Sequence, residues 1–242
     1  MTSASASASA SATSSSRSEV AQQSLGATAY DQWFDTPWGR YSFDIESSLV
    51  LNAVGPLSRD TQVLDVGCGT GRLTALLEAS GATVVGLDLD PSMLMIASSR
   101  TRGRLILSDA LTIPVGDEIF DRVIAVTLCE FTHDPGAVFA ELSRVTRPGG
   151  RIVVGALNPR SPWGLRWRRR LRRPPWSDTE FISRRELLAL ASPFGRVSIR
   201  AALYAPGTIV GLRIVGPVLE RLGALVPTLG AFQVVAIDKS RL

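Results

Sequence analysis

The chain is poor in the residues that build extracellular scaffolds and metal centres. Its 242 residues include two cysteines, Cys68 and Cys129, and a single histidine, His133. Two cysteines so far apart exclude a disulfide framework and match no zinc-ligand spacing, so no metal is expected. Lysine is nearly absent: Lys239 stands alone among 26 basic residues. Long apolar runs are missing too. The longest charge-free stretch, Leu222–Ile237, is broken by Gly223, Pro227 and Gly230, and falls short of the roughly 18 residues that a spanning helix needs. A soluble, cytoplasmic protein is the expectation. Thr2–Ser16 contains only Ser, Thr and Ala, without the charged start and apolar core of a secretory signal. Residues 1–25 therefore read as a disordered leader, with a Ser-rich transit peptide as the alternative, and 26–242 as one domain.

What is present supports a packed core. The composition is 45% hydrophobic and 20% charged, which excludes wholesale disorder. A net charge of +4 invites nucleic acid or an anionic surface as a partner, but the excess is local. Seven arginines fall between Arg160 and Arg173 with no acid among them, and without them the rest of the chain is at −3.

From Thr61 onward, short apolar runs alternate with helical patterns. Strands are expected at Gln62–Val66, Thr83–Leu87, Arg104–Leu107, Arg122–Val126 and Ile152–Leu157, with late β patterns at Val197–Arg200 and Phe232–Asp238. Helices are expected after the first strand through Leu73, Leu76 and Leu77, at Pro91–Ser99, and from Asp134-Pro135 through Val145. Ser183-x-x-Glu186 is a capping box opening Arg185–Ala191. Repeated β-α units of this length imply an α/β, doubly wound and mainly parallel sheet, whose ligands sit beyond the carboxyl ends of the strands.

Gly67, Gly69 and Gly71 follow the first strand at spacings of two and two. Such a loop lets backbone approach a ligand, although a dinucleotide fingerprint has its third glycine one position later, where this chain has Arg72. Asp88 closes the second strand, in position to accept from both hydroxyls of a ribose. Asp109 follows the third strand, in position to accept from an exocyclic amine, and Leu89 is available to cover a purine face. Each acid alone reads equally well as a solvated strand end or a cap; in phase with the loop, the pair reads as a nucleoside site.

These pieces, LDVGCGTG (Leu64–Gly71), GLDLDPSML (Gly86–Leu94), SDALTIP (Ser108–Pro114), FDRVIA (Phe120–Ala125) and ELSRVTRPGGRIVV (Glu141–Val154), resemble the class I S-adenosylmethionine-dependent methyltransferases. The branch is that of the ubiquinone/menaquinone-type C-methyltransferases. YDQWFDTPWGRY (Tyr30–Tyr41) is similar to the lid that precedes the fold there, and ISRRELLALASPFG (Ile182–Gly195) to the penultimate helix. The resemblance implies a Rossmann-like seven-stranded sheet with an N-terminal lid helix, binding S-adenosyl-L-methionine. It implies that Asp65, Gly67, Gly69 and Gly71 surround the methionyl part and that Asp88 holds the ribose. Leu89 and Met93 would flank the adenine, Asp109 and Ala110 meet its polar edge, and Leu128 lie near the sulfonium. Tyr30, Trp33 and Arg40 would close over the pocket, unless the aromatics are simply core.

The chemistry beyond the cofactor is less defined. Relatives often carry a histidine after the fourth strand, where this chain has Phe131; His133 falls beside the helix cap. His133 is a weak candidate base. Glu130 is a candidate for orienting an acceptor, with a solvated loop carboxylate as the alternative. Cys129 lacks an activating base and reads as a buried thiol. Leu128-Cys129-Glu130-Phe131 departs from the Asn/Asp-Pro-Pro-aromatic motif of nucleic-acid amino-methyltransferases. A catalytically silent, cofactor-binding accessory protein remains the alternative to an enzyme.

Two insertions, 158–180 and 205–229, are expected as a substrate-side lid. In the first, Trp163, Trp167 and Leu171 recur every four residues among arginines, a pattern for peripheral contact with an anionic membrane or for a lid packed on the domain. In the second, glycine and proline breaks argue against a long straight helix. A small, apolar or aromatic acceptor is expected, methylated on carbon or oxygen; nucleic acid is a poor fit, and oligomeric state is left open.

Overall fold

The computed structural model describes residues 26–168, 180–205 and 212–240. The leader and Arg169–Arg173 of the arginine run lie outside them. Helix α1 spans 26–33, followed by α2 (Pro37–Val54). Then come β1 (Gln62–Val66), α3 (Arg72–Ala79), β2 (Thr83–Asp88), α4 (Pro91–Ser98), β3 (Arg104–Leu107) and β4 (Phe120–Val126). The second half holds α5 (Pro135–Val145), β5 (Thr146–Leu157), α6 (Pro162–Arg168), α7 (Arg184–Ala191), β6 (Gly195–Ala202), α8 (Leu212–Gly223) and β7 (Phe232–Lys239).

The strands form one sheet in the order β3-β2-β1-β4-β5-β7-β6. The first five are parallel, while β7 runs antiparallel to both β5 and β6. This is the expected doubly wound, mainly parallel seven-stranded sheet. Its strands read as unbroken apolar runs because both faces are covered. Alternate residues enter different cores: Leu64, Val123 and Ile152 pack with Phe139 and Leu142 of α5 and Leu187 of α7. Val63, Ile124 and Val153 pack with Val50 and Val54 of α2 and Leu77 of α3. Each such side chain, taken fully out of water, contributes roughly 1.5–3 kcal/mol.

Helix starts follow local chemistry. Thr36 Oγ1 accepts from the Gly39 amide, Asp90 from that of Ser92 and Asp134 from that of Ala137, each with proline at the next position. The Ser183–Glu186 capping box is formed in both directions. At the far end of α2, the carbonyls of Ala53 and Val54 accept from Arg151 and Arg122, which fixes that end at the start of the strands. Eight residues upstream, about 12 Å along the helix, Glu46 is thereby carried toward the carboxyl rim of the sheet.

Within the second insertion, helix α8 runs for 12 residues with Pro217 inside it. Packing accounts for its glycines: a Cβ on Gly216 would meet the Tyr41 ring at 2.5–2.8 Å, and one on Gly223 would overlap the Tyr204 ring. The glycines let the helix lie against both tyrosines. Between them, Glu220 accepts from the amides of Leu203 and Tyr204, each at 2.8 Å, and from the Tyr41 hydroxyl at 3.3 Å. The two insertions meet at the rim, where Asn158 Nδ2 donates to the carbonyls of Thr228 and Gly230. Among the described residues no helix is long and apolar enough to cross a membrane.

Candidate active site

The glycine loop lies at the carboxyl end of β1. Gly67, Gly69 and Gly71 all take positive φ, at 73°, 53° and 76°, a conformation costly for any residue with a Cβ. The Gly67 and Cys68 amides donate to the Leu87 carbonyl, tying the loop to the end of β2. Asp88 then receives the Gly69 amide at 2.7 Å on one oxygen and the Asp90 amide at 2.9 Å on the other. Burial pushes Asp88 up, against the opposing pull of these backbone donors. Asp65 lies beneath the loop at 2% exposure and accepts from the Thr74 hydroxyl at 2.7 Å. Burial raises its carboxyl to about 6, with the Asp88 charge adding to the effect.

The other residues expected around the cofactor lie near this loop or along the same rim. Leu128 packs against Gly67, so closely that a Cβ there would stand 3.0 Å from it. Leu89 is exposed, Met93 half-buried and Ala110 buried, along the rim beyond β2 and β3. Asp109 is half-buried and accepts from the Leu111 amide at 2.9 Å.

Helix α1 is clamped onto the loop by a residue the sequence reading overlooked. Asp31 accepts from Thr70 Oγ1 and Arg72 Nε, both at 2.8 Å, and from both terminal nitrogens of Arg100. Burial opposes its ionisation, but the donors from Arg72, Arg100 and Thr70 hold it well below the usual carboxylate range. Arg72, standing where a dinucleotide loop has glycine, is therefore the tether of the lid, and its guanidinium also lies 5.2 Å from the Phe34 ring centre. The clamp brings Tyr30 over the loop, where its ring would contact a Cβ on Gly69 at 3.9 Å. Burial and the Glu46, Asp88 and Asp31 charges all push the Tyr30 hydroxyl up, so it stays protonated. Trp33 is 42% exposed with its ring edge-to-face on Phe34, and Arg40 donates to the Asp35 carbonyl, bracing the turn between α1 and α2.

On the acceptor side, Glu130 is 2% exposed, which overturns the reading of a solvated loop carboxylate. Its Oε1 accepts from the Leu157 amide at 2.6 Å, and its carbonyl accepts from the Glu180 amide. Its Oε2 is buried without a partner. Burial raises the carboxyl to about 7, in spite of its backbone donors. Glu46 approaches from α2; burial and the Glu130 charge push it to about 8. The sequence reading missed Glu46, which looked like one more acid on a surface helix. Its signal was the four-residue register with Ser42, Val50 and Val54, all buried. His133 and Phe131 are exposed, and Cys129 is 1% exposed with its thiol pushed up to about 12 by burial and by Glu130. That thiol is no nucleophile.

Thr127, between β4 and Leu128, holds φ of 49°, unusual for a β-branched residue. A strained turn at the end of the central strand aims Leu128 at the loop and Glu130 at the interior.

Residues 64–154 match the family described as "Methyltransferase domain". An uncharacterized protein of Mycobacterium tuberculosis is 33% identical over 186 residues, 74% of this chain and 62% of that protein. The chain thus spans about three fifths of that relative's length. A malonyl-[acyl-carrier protein] O-methyltransferase of Serratia marcescens is 36% identical over 108 residues, 44% of this chain and 42% of that enzyme. A Thermotoga maritima structure described as a SAM-dependent methyltransferase, possible histamine N-methyltransferase, superposes with a TM-score of 0.72 at 21% identity. That likeness covers 90% of this chain and 97% of the other. The fold is the Rossmann-like class I methyltransferase fold. Residues 64–154 are thus a methyltransferase domain, on a fold shared with S-adenosylmethionine-dependent methyltransferases.

Proposed function

We propose that the chain transfers a methyl group from S-adenosyl-L-methionine to carbon or oxygen of a small, largely apolar or aromatic acceptor. The observation that carries this reading is the positive-φ glycine loop bonded through Gly69 to Asp88. The donor set fits that cofactor. Glycines at close approach, buried Asp65, and the acceptor-only carboxylates Asp88 and Asp109 suit a cationic amino acid, a ribose and an adenine amine. When bound, S-adenosylmethionine supplies an activated methyl on a sulfonium sulfur.

The chain's own residues position and desolvate. Tyr30, held by Asp31 and Arg72, covers the loop and excludes water. Leu128 provides an apolar wall beneath the reacting centre. Glu130 takes the proton that an acceptor O–H or acidic C–H must lose, at the oxygen with no protein partner. With Glu130 raised to about 7 and Glu46 to about 8, one carboxylate is ionised while its neighbour stays protonated near neutral pH. Glu46 in its acid form donates a hydrogen bond to the acceptor or to Glu130. The chemistry is assigned to the cytoplasm. Peripheral contact with an anionic membrane through Trp163–Arg173 remains part of the proposal; exposed Leu165 on α6 favours it, while half-buried Trp163, packed on the α2-side core, favours a lid.

Calorimetry with S-adenosylmethionine tests the reading. Asp88→Ala is expected to weaken binding at least about tenfold, the loss of roughly one charge-assisted hydrogen bond, with an unchanged circular dichroism spectrum. Absence of binding to the unmodified chain would refute the assignment.

A further inference from the structure

A cavity of about 540 Å³ opens on the same rim of the sheet, beyond β5 and β7. Arg160, Arg184 and Arg185 line it together with Asn158, Leu188 and Leu229. Arg160 and Arg185 are exposed and Arg184 is half-buried at this cavity, and like charges gathered there repel one another unless an anion joins them. Among the described residues, none of the three has a carboxylate within ion-pairing distance, although nine such ion pairs occur elsewhere. Glu186, whose carboxyl feels the Arg160 charge, accepts from the Ser183 amide at 2.8 Å in the capping box. Arg184 Nη1 is buried and has no hydrogen-bond partner. A buried cationic donor without an acceptor costs free energy that a bound anion recovers.

The frame is built, not incidental. Asn158 Oδ1 accepts from the Arg160 amide at 3.0 Å, and Nδ2 ties the floor to the carbonyls of Thr228 and Gly230, also at 3.0 Å. Leu188, one helical turn after Arg184, and Leu229 provide an apolar wall. Leu229 continues outward into Leu225 and Val226, which are 80% and 45% exposed. The cavity is within the size range of small-molecule sites. Arginine clusters match phosphate oxygens in charge and in fork geometry.

We infer that this cavity is a phosphate-binding site, taking the phosphate of an amphipathic molecule whose apolar part runs over Leu188 and Leu229. The site stands on its own residues and does not depend on the methyl-transfer reading. A phospholipid headgroup and a soluble organic phosphate share this chemistry, and the experiment separates them.

Pyrophosphate is titrated calorimetrically into the full chain at low salt, beside a separate titration with S-adenosylmethionine. Saturable pyrophosphate binding is expected. Arg184→Gln should weaken it at least about tenfold, as should the pair Arg160→Gln and Arg185→Gln. The pair keeps the proposal testable should the Arg184 variant fail to fold. Affinity for S-adenosylmethionine should not change in any of them. Absence of pyrophosphate binding, or binding unchanged in the paired variant, overturns the proposal. Flotation with phosphatidic acid–phosphatidylcholine vesicles identifies the source. Vesicle binding that pyrophosphate competes away, and that the paired variant loses, supports a lipid headgroup. Pyrophosphate binding without flotation supports a soluble phosphate.

Discussion

The two halves of the sheet's carboxyl rim handle their polar groups in opposite ways. On the glycine-loop side, the buried or half-buried acids Asp31, Asp65 and Asp88 all have donors from the protein. On the acceptor side, Glu130 Oε2 and Arg184 Nη1 are buried with none, the only such side-chain atoms among the described residues. A rim that binds a fixed, universal cofactor can complete its hydrogen bonds in advance. A rim that meets a particular substrate keeps groups in reserve, at a cost in stability that ligand binding offsets.

The contrast can be broken first at Glu130. Glu130→Gln preserves shape and removes the proton acceptor, so methyl transfer should fall about 10²–10⁴-fold while S-adenosylmethionine affinity holds. In the unmodified chain, the rate of methyl transfer should rise with pH through about 7 as Glu130 ionises. A pH-independent rate, or a variant of full activity, would show that no side-chain base is used at this position.

Asp31→Asn probes the completed side. The side chain is 18% exposed and accepts from two arginines and a threonine. Loss of its charge should cost about 2 kcal/mol in urea denaturation. It should also weaken cofactor binding, because α1 and Tyr30 lose their tether. Cofactor affinity that does not move would mean that the lid contributes nothing to the site.

The smallest effect concerns pH and stability. Glu46, Asp65 and Glu130 have folded pKa values raised above their unfolded ones. The native chain therefore holds protons that the unfolded chain has released, and stability should fall as pH rises from about 4.5 to about 8. Asp31 has the opposite sign, with stabilisation present above its unfolded value and lost in more acid solution. Thermal melts should show a decline of a few degrees across the first window. The double variant Glu46→Gln with Glu130→Gln should flatten most of it; an unchanged slope would place the raised groups elsewhere.

The glycine-loop half was legible in the sequence because its signals are local. A strand, three glycines and an acid at the end of the next strand lie within 27 residues, from Gln62 to Asp88. The capping box at Ser183 and the alternating apolar runs are local in the same sense. The acceptor half was far less so. Glu46 and Glu130 are 84 positions apart and become neighbours only because Arg122 and Arg151 anchor α2 across the sheet. Gly216-Pro217 reads as a helix breaker until the Tyr41 ring, 175 positions earlier, makes a glycine the only residue that fits.

The scarcities of the sequence set firm limits: too few cysteines for a scaffold, and no apolar run long enough to span a membrane. With the repeated β-α units and the glycine loop, the sequence alone determined the class of fold. Tertiary structure decided which charges stay unpaired. Arg72 and Arg100 were drawn to Asp31, while Arg160, Arg184 and Arg185 were left around a cavity with no acid among the described residues that line it. Composition counts all five arginines alike. Only packing, by fixing which carboxylate lies within reach of which guanidinium, separates structural charge from charge kept for a ligand.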